Sequence, residues 1–520
     1  MIAQGPHEMD DEEVMHRPFY SLIVLLLGFH FLDIHAQSNP PVHSRLWGKS
    51  GDQWHPTSRL PDFSYAGYGC GEQTTPIYPQ GVSVRDFGAT GDGRTDDTKA
   101  FQKALREVKS GAIEVPAGRY VITGFLEIKR SGVLLRGAGP DKTMLHFPTP
   151  LSDIKPNWGA TTSGRRTSNY SWSGGFINIR GSFQSRTLSY IVSTAKRGSN
   201  QIQVTNSKAL KIGQKVEIYQ RDKPDNSLAI HLYSGDSGPV NQLKGRAKTS
   251  LITKITALNG NTVTLERPLR CDLQPQWKPQ IRSFDPTVTE SGVESMSFEF
   301  PVSAYEGHFT ELGFNPIALS EVAHCWIRNI RINHADSGPF VRGFFNTIDG
   351  IVFESTRPLD KQQCTGHHGI SLGGGDNLVT NFDFRTRFIH DITVSGFTSG
   401  NVVMNGGGID LSLDHHRKGP YANLFTHLDA GEGNRFWKCG GGADLGKHCG
   451  TRGTFWCVRS KNPISYPRDN FGPDTMHLVG LHTNQASITD PNGKWFEAIS
   501  PETMEPKNLY QAQLNRRLNK

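Results

Sequence analysis

The chain has 520 residues, with 56 Lys and Arg against 49 Asp and Glu, and a formal net charge of +7. Hydrophobic residues make up 36% and charged residues 20%, the balance of a folded chain rather than a disordered one. Its 56 glycines follow no Gly-X-Y period, which excludes collagen. No long Lys/Arg block or nucleic-acid motif occurs, so the mild positive charge fits an acidic polysaccharide and gives no ground for a nucleic-acid partner.

Residues 1–36 read as a secretion signal. Ser21 to Leu32 forms a short apolar core, and His35-Ala36-Gln37 offers a small residue before a polar stretch. That core is too short to cross a bilayer comfortably, so no stable transmembrane anchor is expected. A start at Met15 would leave His16 and Arg17 as the basic lead. The protein is therefore expected to be secreted or periplasmic. Export permits disulfides, yet the cysteines number seven. Two of Cys439, Cys449 and Cys457 are close enough for one local bridge, and simple burial is the alternative.

Residues 37–80 carry Pro, Ser, Trp and Tyr without periodicity and form an irregular extension, expected to lie over the first turns of the scaffold. Next, Ala100, Phe101, Ala104, Leu105 and Val108 recur at helical spacing, with Asp96 and Asp97 placed for the first turn. Short strands split by turn residues follow: Gly111 to Val115, Gly118 to Ile122, Phe125 to Ile128 and Val133 to Gly137. Residues 148–175 read as a long loop. Strands resume from Ile177 to Leu269, around a polar excursion at 222–245. From 292 onward the pattern is more regular, as in Ile327-Arg328-Asn329-Ile330-Arg331-Ile332 and Ile389-His390-Asp391-Ile392-Thr393-Val394. Intervals of roughly twenty to thirty residues suit one turn of a coiled sheet. The expected fold is all-β: a single-stranded right-handed parallel β-helix over 81–490, with an N-terminal helical cap, long loops and a C-terminal tail at 491–520. A sandwich is the competing arrangement.

The segment from Val84 to Gln102, VRDFGATGDGRTDDTKAFQ, closely resembles the opening signature of the pectate-lyase superfamily. Gly118-Arg119-Tyr120 after Val115-Pro116 matches its usual continuation. The resemblance implies a right-handed β-helix with an N-terminal cap, on which polysaccharide lyases, glycoside hydrolases, epimerases and phage depolymerases are built. The polygalacturonase-type set is not matched. Asn346-Thr347-Ile348-Asp349 departs from its first element, Gly366-His367-His368-Gly369 only approximates its third, and no Arg-Ile-Lys follows.

Residues 364–452 are the densest polar stretch. A uronate carries an acidic C5 proton beside its carboxylate. Lyase chemistry needs a cation at the carboxylate, a base at C5 and a donor at the leaving oxygen on C4. His367, His368, His415, His416, Arg417 and Tyr421 are the candidate catalytic residues. Asp414, Lys418, His427, Asp444, Lys447, His448 and Arg452 are the candidate substrate contacts. Trp326, Trp437 and Trp456 could stack on sugars or fill the core. No cofactor is demanded by the sequence; calcium is the ion its aspartates could hold. The resulting expectation is a secreted polysaccharide lyase acting by β-elimination on an acidic, uronate-containing glycan. A glycoside hydrolase using a pair from Asp410, Asp414, Asp429, Glu432 and Asp444 is the alternative, followed by a non-catalytic glycan-binding protein.

Overall fold

The computed structural model describes residues 40–519, so the expected secretion signal lies outside the described residues. No described helix is long and apolar enough to cross a membrane. The architecture is the expected parallel β-helix, with the right-handed crossover that parallel strands favour. One long sheet starts at Val82–Ser83 and is built turn by turn through strands such as Trp326–Asn333, Thr347–Glu354, Leu378–Phe384 and Thr454–Arg459 to Trp495–Glu497, where Ile488–Thr489 adds an antiparallel edge. A second sheet stacks β1 (Leu126–Ile128), β2 (Ile177–Arg180), β3 (Ile317–Ala323), β4 (Phe340–Phe344), β5 (Gly366–Gly375), β6 (Phe388–Val394) and β7 (Leu413–His415). Sandwich packing is thereby excluded.

Register makes the core. Ile327, Ile348, Val379, Val403, Phe425, Phe455, Leu478 and Phe496 pair in sequence across neighbouring strands, and none is more than 1% exposed. Each such side chain contributes about 1.5–3 kcal/mol by leaving water. A polar ladder accompanies this stack. Asn346 Nδ2 donates to Asn377 Oδ1, Asn377 to Asn401, and Asn401 to Asn423, at 2.9–3.0 Å and separations of 31, 24 and 22 residues. Each of these oxygens also accepts the backbone N–H of the same donating asparagine, so the buried amides of these corners are satisfied.

Helix α1 (Thr98–Glu107) closes the first end of the coil, burying Ala100, Phe101, Ala104 and Leu105. Asp96 accepts the Thr98 N–H at 3.0 Å, as expected for the first turn. Asp97 differs: its carboxylate turns back to accept Thr90 N and Gly91 N. It fixes the glycine loop instead of the helix.

Three features depart from the sequence reading. First, residues 187–283 are not coil turns. They form a six-stranded antiparallel sheet with its own apolar core around Val216, Ile218, Ile255, Val263 and Ile281. The missed signal is Asn259-Gly260, with Gly260 at φ 58°, a hairpin turn. Buried Arg267 and Arg270 both grip Asp376 and fasten this insert to the coil. Second, the N-terminal extension covers late turns as well as early ones. Leu46, Trp47, Leu60 and Phe63 pack with α2 (Leu509–Arg517) over Val402, Leu424 and Trp456, while Tyr68 and Tyr78 lie against Trp326. Third, all seven cysteines are unpaired, which removes the local bridge. Cys449 lies in the coil core, whereas Cys457 faces the outer cluster.

Candidate functional site

The second sheet brings together residues that are far apart in sequence. Parallel pairing sets His368 beside His390 and Thr393 beside Asp414, one strand spacing apart. His367 and His368 come from β5, His390 from β6, Asp414 from β7, and His416 from the residues just beyond it. His308 enters from the loop after the strand Gly292–Glu299. Adjacent ring centroids lie 4.3 Å apart for His308 and His367, 4.0 Å for His367 and His368, 5.0 Å for His368 and His390, and 5.4 Å for His390 and His416.

Two carboxylates back this array. Asp414 is fully buried and bonds His416 Nδ1 at 2.7 Å, Gly440 N at 2.7 Å and Thr393 Oγ1 at 3.2 Å. Its second neighbour is His390 Nδ1 at 3.4 Å. Glu311 sits 3.4 Å from His367 Nδ1 and accepts the Tyr305 hydroxyl at 2.5 Å. Gly440 roofs the cluster. A Cβ there would come within 2.8–2.9 Å of the His390 and His416 rings, so only glycine allows this approach.

Protonation differs across the array. Burial, reinforced by neighbouring imidazoles, holds His367 and His368 far below the ordinary histidine range. Burial likewise pulls His390 down to about 4. His416 goes the other way: burial lowers it, but the Asp414 charge and hydrogen bond prevail and raise it. Its side chain is 30% exposed, the most accessible end of the Asp414 pair. For Asp414, burial acts upward and is outweighed by His390 and His416, leaving the carboxyl well below its usual value.

A cationic rim adjoins His416. Arg417 and Lys418 leave β7 through left-handed backbone, φ 57° and 62°. Burial and the nearby charges of Arg246 and Arg342 lower the Lys418 ammonium. None of Arg342, Arg417 and Lys418 has a carboxylate partner among the described residues; Arg417 instead donates to Gly446 O at 2.5 Å. Tyr233, from the insert, accepts Gly419 N and donates to Lys447 O, bracing this loop.

The structure thus gathers His367, His368, Asp414, His416, Arg417 and Lys418 and disperses the other candidates. His415 is a correction: strand alternation turns it inward with Leu413, where Phe425, Phe455 and Phe471 surround its ring at 5.1–5.4 Å. Tyr421 is another. It is buried against Leu232 and Ala422 and, with Arg452, lines a separate cavity of about 300 Å³ beside the insert. Tyr421→Phe is accordingly expected to keep full turnover in a steady-state assay; a loss above about tenfold would return it to the site. His448 bonds the His415 carbonyl, Lys447 pairs with Asp236, and His427 bonds Asn405 on the long sheet. Asp444 offers its backbone carbonyl to Gln242 N. Trp326 and Trp456 are fully buried, and half-buried Trp437 packs on Phe455 and Phe471.

The sequence reading missed His308, Glu311, His390 and Arg342. His390 was visible only as part of a strand repeat, and His308 and Glu311 lie outside the stretch singled out. Residues grouped closely enough to hold one ion are His308, His367 and His390, and also His390, Asp414 and His416. Neither group supplies the six to eight oxygens that calcium takes.

Residues 81–252 match the family model described as rhamnogalacturonase A/epimerase, pectate lyase-like. Every residue of the imidazole cluster lies beyond that segment. Alginate lyase 7 of Azotobacter vinelandii is 32% identical over 97 residues, covering 17% of this chain and 11% of that protein. The pre-neck appendage protein of Bacillus phage B103 is 37% identical over 75 residues, covering 14% of this chain and 8% of that protein. The chain therefore spans only about a tenth of the length of these curated relatives. Among solved structures, the tailspike protein gp49 from Pseudomonas phage LKA1 aligns at 14% identity with a TM-score of 0.43, over 73% of this chain and 64% of that one.

Proposed function

We propose, from the premise that the chain is a pectate-lyase-like parallel β-helix protein, that it is a secreted polysaccharide lyase cleaving a uronate-containing glycan by β-elimination. The observation that carries this reading is the Asp414–His416 pair at 2.7 Å, its His416 end part-exposed, beside cations that lack carboxylate partners among the described residues. Asp414 holds the Nδ1–H of His416 and stabilises the imidazolium that forms, leaving Nε2 to accept a proton. In the proposed reaction Nε2 takes the C5 proton of the uronate. The C5 electron pair forms the C4–C5 double bond, the C4–O bond breaks, and the same imidazolium returns its proton to the departing oxygen. Arg342, Arg417 and Lys418 bind the carboxylate whose charge would otherwise oppose loss of the C5 proton.

Hydrolysis fits less well. It needs two carboxyl groups flanking the scissile bond, whereas Asp414 and Glu311 are both buried behind histidines. Asp410 is engaged by Asn434 N, and Glu432 by Lys461. Secretion rests on the apolar segment at 21–32. The test is a panel of uronate-containing and neutral polysaccharides, followed by ultraviolet absorbance and reducing ends together. Lyase action gives both signals in step on acidic chains alone; reducing ends without unsaturation would reject it. R342A and K418A are each expected to lower kcat/KM about tenfold or more, the size of one charge-assisted hydrogen bond, chiefly through KM. Unchanged KM in both would remove the carboxylate site from this rim.

A further inference from the structure

His390 is 3% exposed, and neither of its ring nitrogens has a hydrogen-bond partner among the described residues. Leaving such atoms unpaired in a dry interior is costly. The neighbours of this ring suggest what satisfies it. His390 turns Nδ1 toward Asp414 at 3.4 Å, which leaves Nε2 for another partner. His367 is arranged the same way: Nδ1 faces Glu311 at 3.4 Å, and Nε2 meets His308 Nε2 at 2.7 Å. One ligating nitrogen from each of His308, His367 and His390 lies within 4.8 Å of the others. A carboxylate behind an imidazole fixes its tautomer and orients the opposite nitrogen for an ion. Two of the three rings have that support here. Gly440 passes close over the cluster, and a Cβ there would press to 2.9 Å from His390 Nε2.

We propose that His308, His367 and His390 form a binding site for a borderline divalent transition ion, zinc being the representative case. Three neutral imidazoles with a coordination position left open are a donor set that suits zinc and its first-row neighbours. Glu311 and Asp414 act as positioning residues, and Tyr305 holds Glu311 through its hydroxyl. The site stands on these contacts alone; only its bearing on catalysis rests on the lyase reading. There the ion, when bound, would supply a Lewis acid beside the Asp414–His416 pair.

The test uses the full chain, stripped with a chelator and dialysed without glycan against Zn²⁺ or Co²⁺. One ion per chain is expected, with a visible Co²⁺ spectrum of nitrogen coordination. H308A, at the half-buried edge, and H390A should lose stoichiometric binding. Gly440→Ala should lose it too, because the added Cβ would press on the His390 and His416 rings without removing a ligand; its backbone is not left-handed, so the substitution adds no φ strain. Glu311→Gln should weaken affinity about 10–100-fold. H416Q should still bind, which separates this site from the His390, Asp414 and His416 group. Thermal melts in chelator check that each variant is folded. A wild-type chain without stoichiometric ion, or H308A and H390A binding like wild type, would overturn the inference. Binding is read without glycan, so a chain that takes up no stoichiometric ion yet makes unsaturated products in a separate glycan assay sinks the metal site alone. A metal-loaded chain making saturated products sinks the lyase alone.

Discussion

His416→Ala is expected to lower kcat/KM by about 10²–10⁴-fold, the usual worth of a positioned general base, with little change in thermal stability. The side chain is part-exposed and its one side-chain hydrogen bond among the described residues is the 2.7 Å contact with Asp414, so removal opens no core cavity. The pH profile gives a sharper test. A base must be neutral to act, so kcat/KM should fall as pH drops through the His416 pKa. Asp414 raises that pKa, and the acid limb should therefore lie above the ordinary histidine value of 6.5. Asp414→Asn removes the charge, so the limb should move to lower pH while the plateau drops. A structural role for Asp414 would lower the plateau without moving the limb. Full activity in H416A, or a limb unmoved by D414N, would sink the dyad.

This dyad shows how much of the site was legible in advance. Asp414-His415-His416-Arg417-Lys418 stood out because charge and imidazole were dense there. Which of two adjacent histidines faces the groove depends on strand parity, and parity was set by Leu413 entering the core. A one-residue ambiguity is enough to exchange inside and outside. The coil itself was readable because its apolar positions recur and its cap signature is local. The antiparallel insert was not, because strand periodicity is the same in both sheet types. His308 and Glu311 could not be found by density at all. Their place beside His367, 59 and 56 positions along the chain, exists only once the loop after Glu299 folds back over β5.

The second large effect is on stability in acid. His324, His415 and His477 are buried away from the imidazole cluster, and burial is the main cause that lowers each. His324 and His415 are held at about 4, and His477 well below the ordinary value. His415 is walled by three phenylalanines, and its Nε2 has no hydrogen-bond partner among the described residues. Between those values and the unfolded histidine value of about 6.5, the unfolded chain binds more protons than the folded one. Stability is therefore full above about pH 6.5 and is lost as pH falls toward 4. Each ring costs about 1.4 kcal/mol per pH unit in that window, so the three together remove on the order of 4 kcal/mol per unit. Glu311 and Asp391, both raised by burial, oppose this, since the folded state holds their protons better. His415→Phe isolates one contribution. Phenylalanine suits the aromatic wall, leaves the Asp414–His416 pair intact and does not titrate. Denaturant unfolding between pH 7 and 5 should show H415F equal to or more stable than wild type at the acid end, with a slope shallower by roughly 1.4 kcal/mol per unit. Parallel slopes for the two proteins would mean that His415 is already charged in the fold, and would undo its placement in the dry interior of the coil.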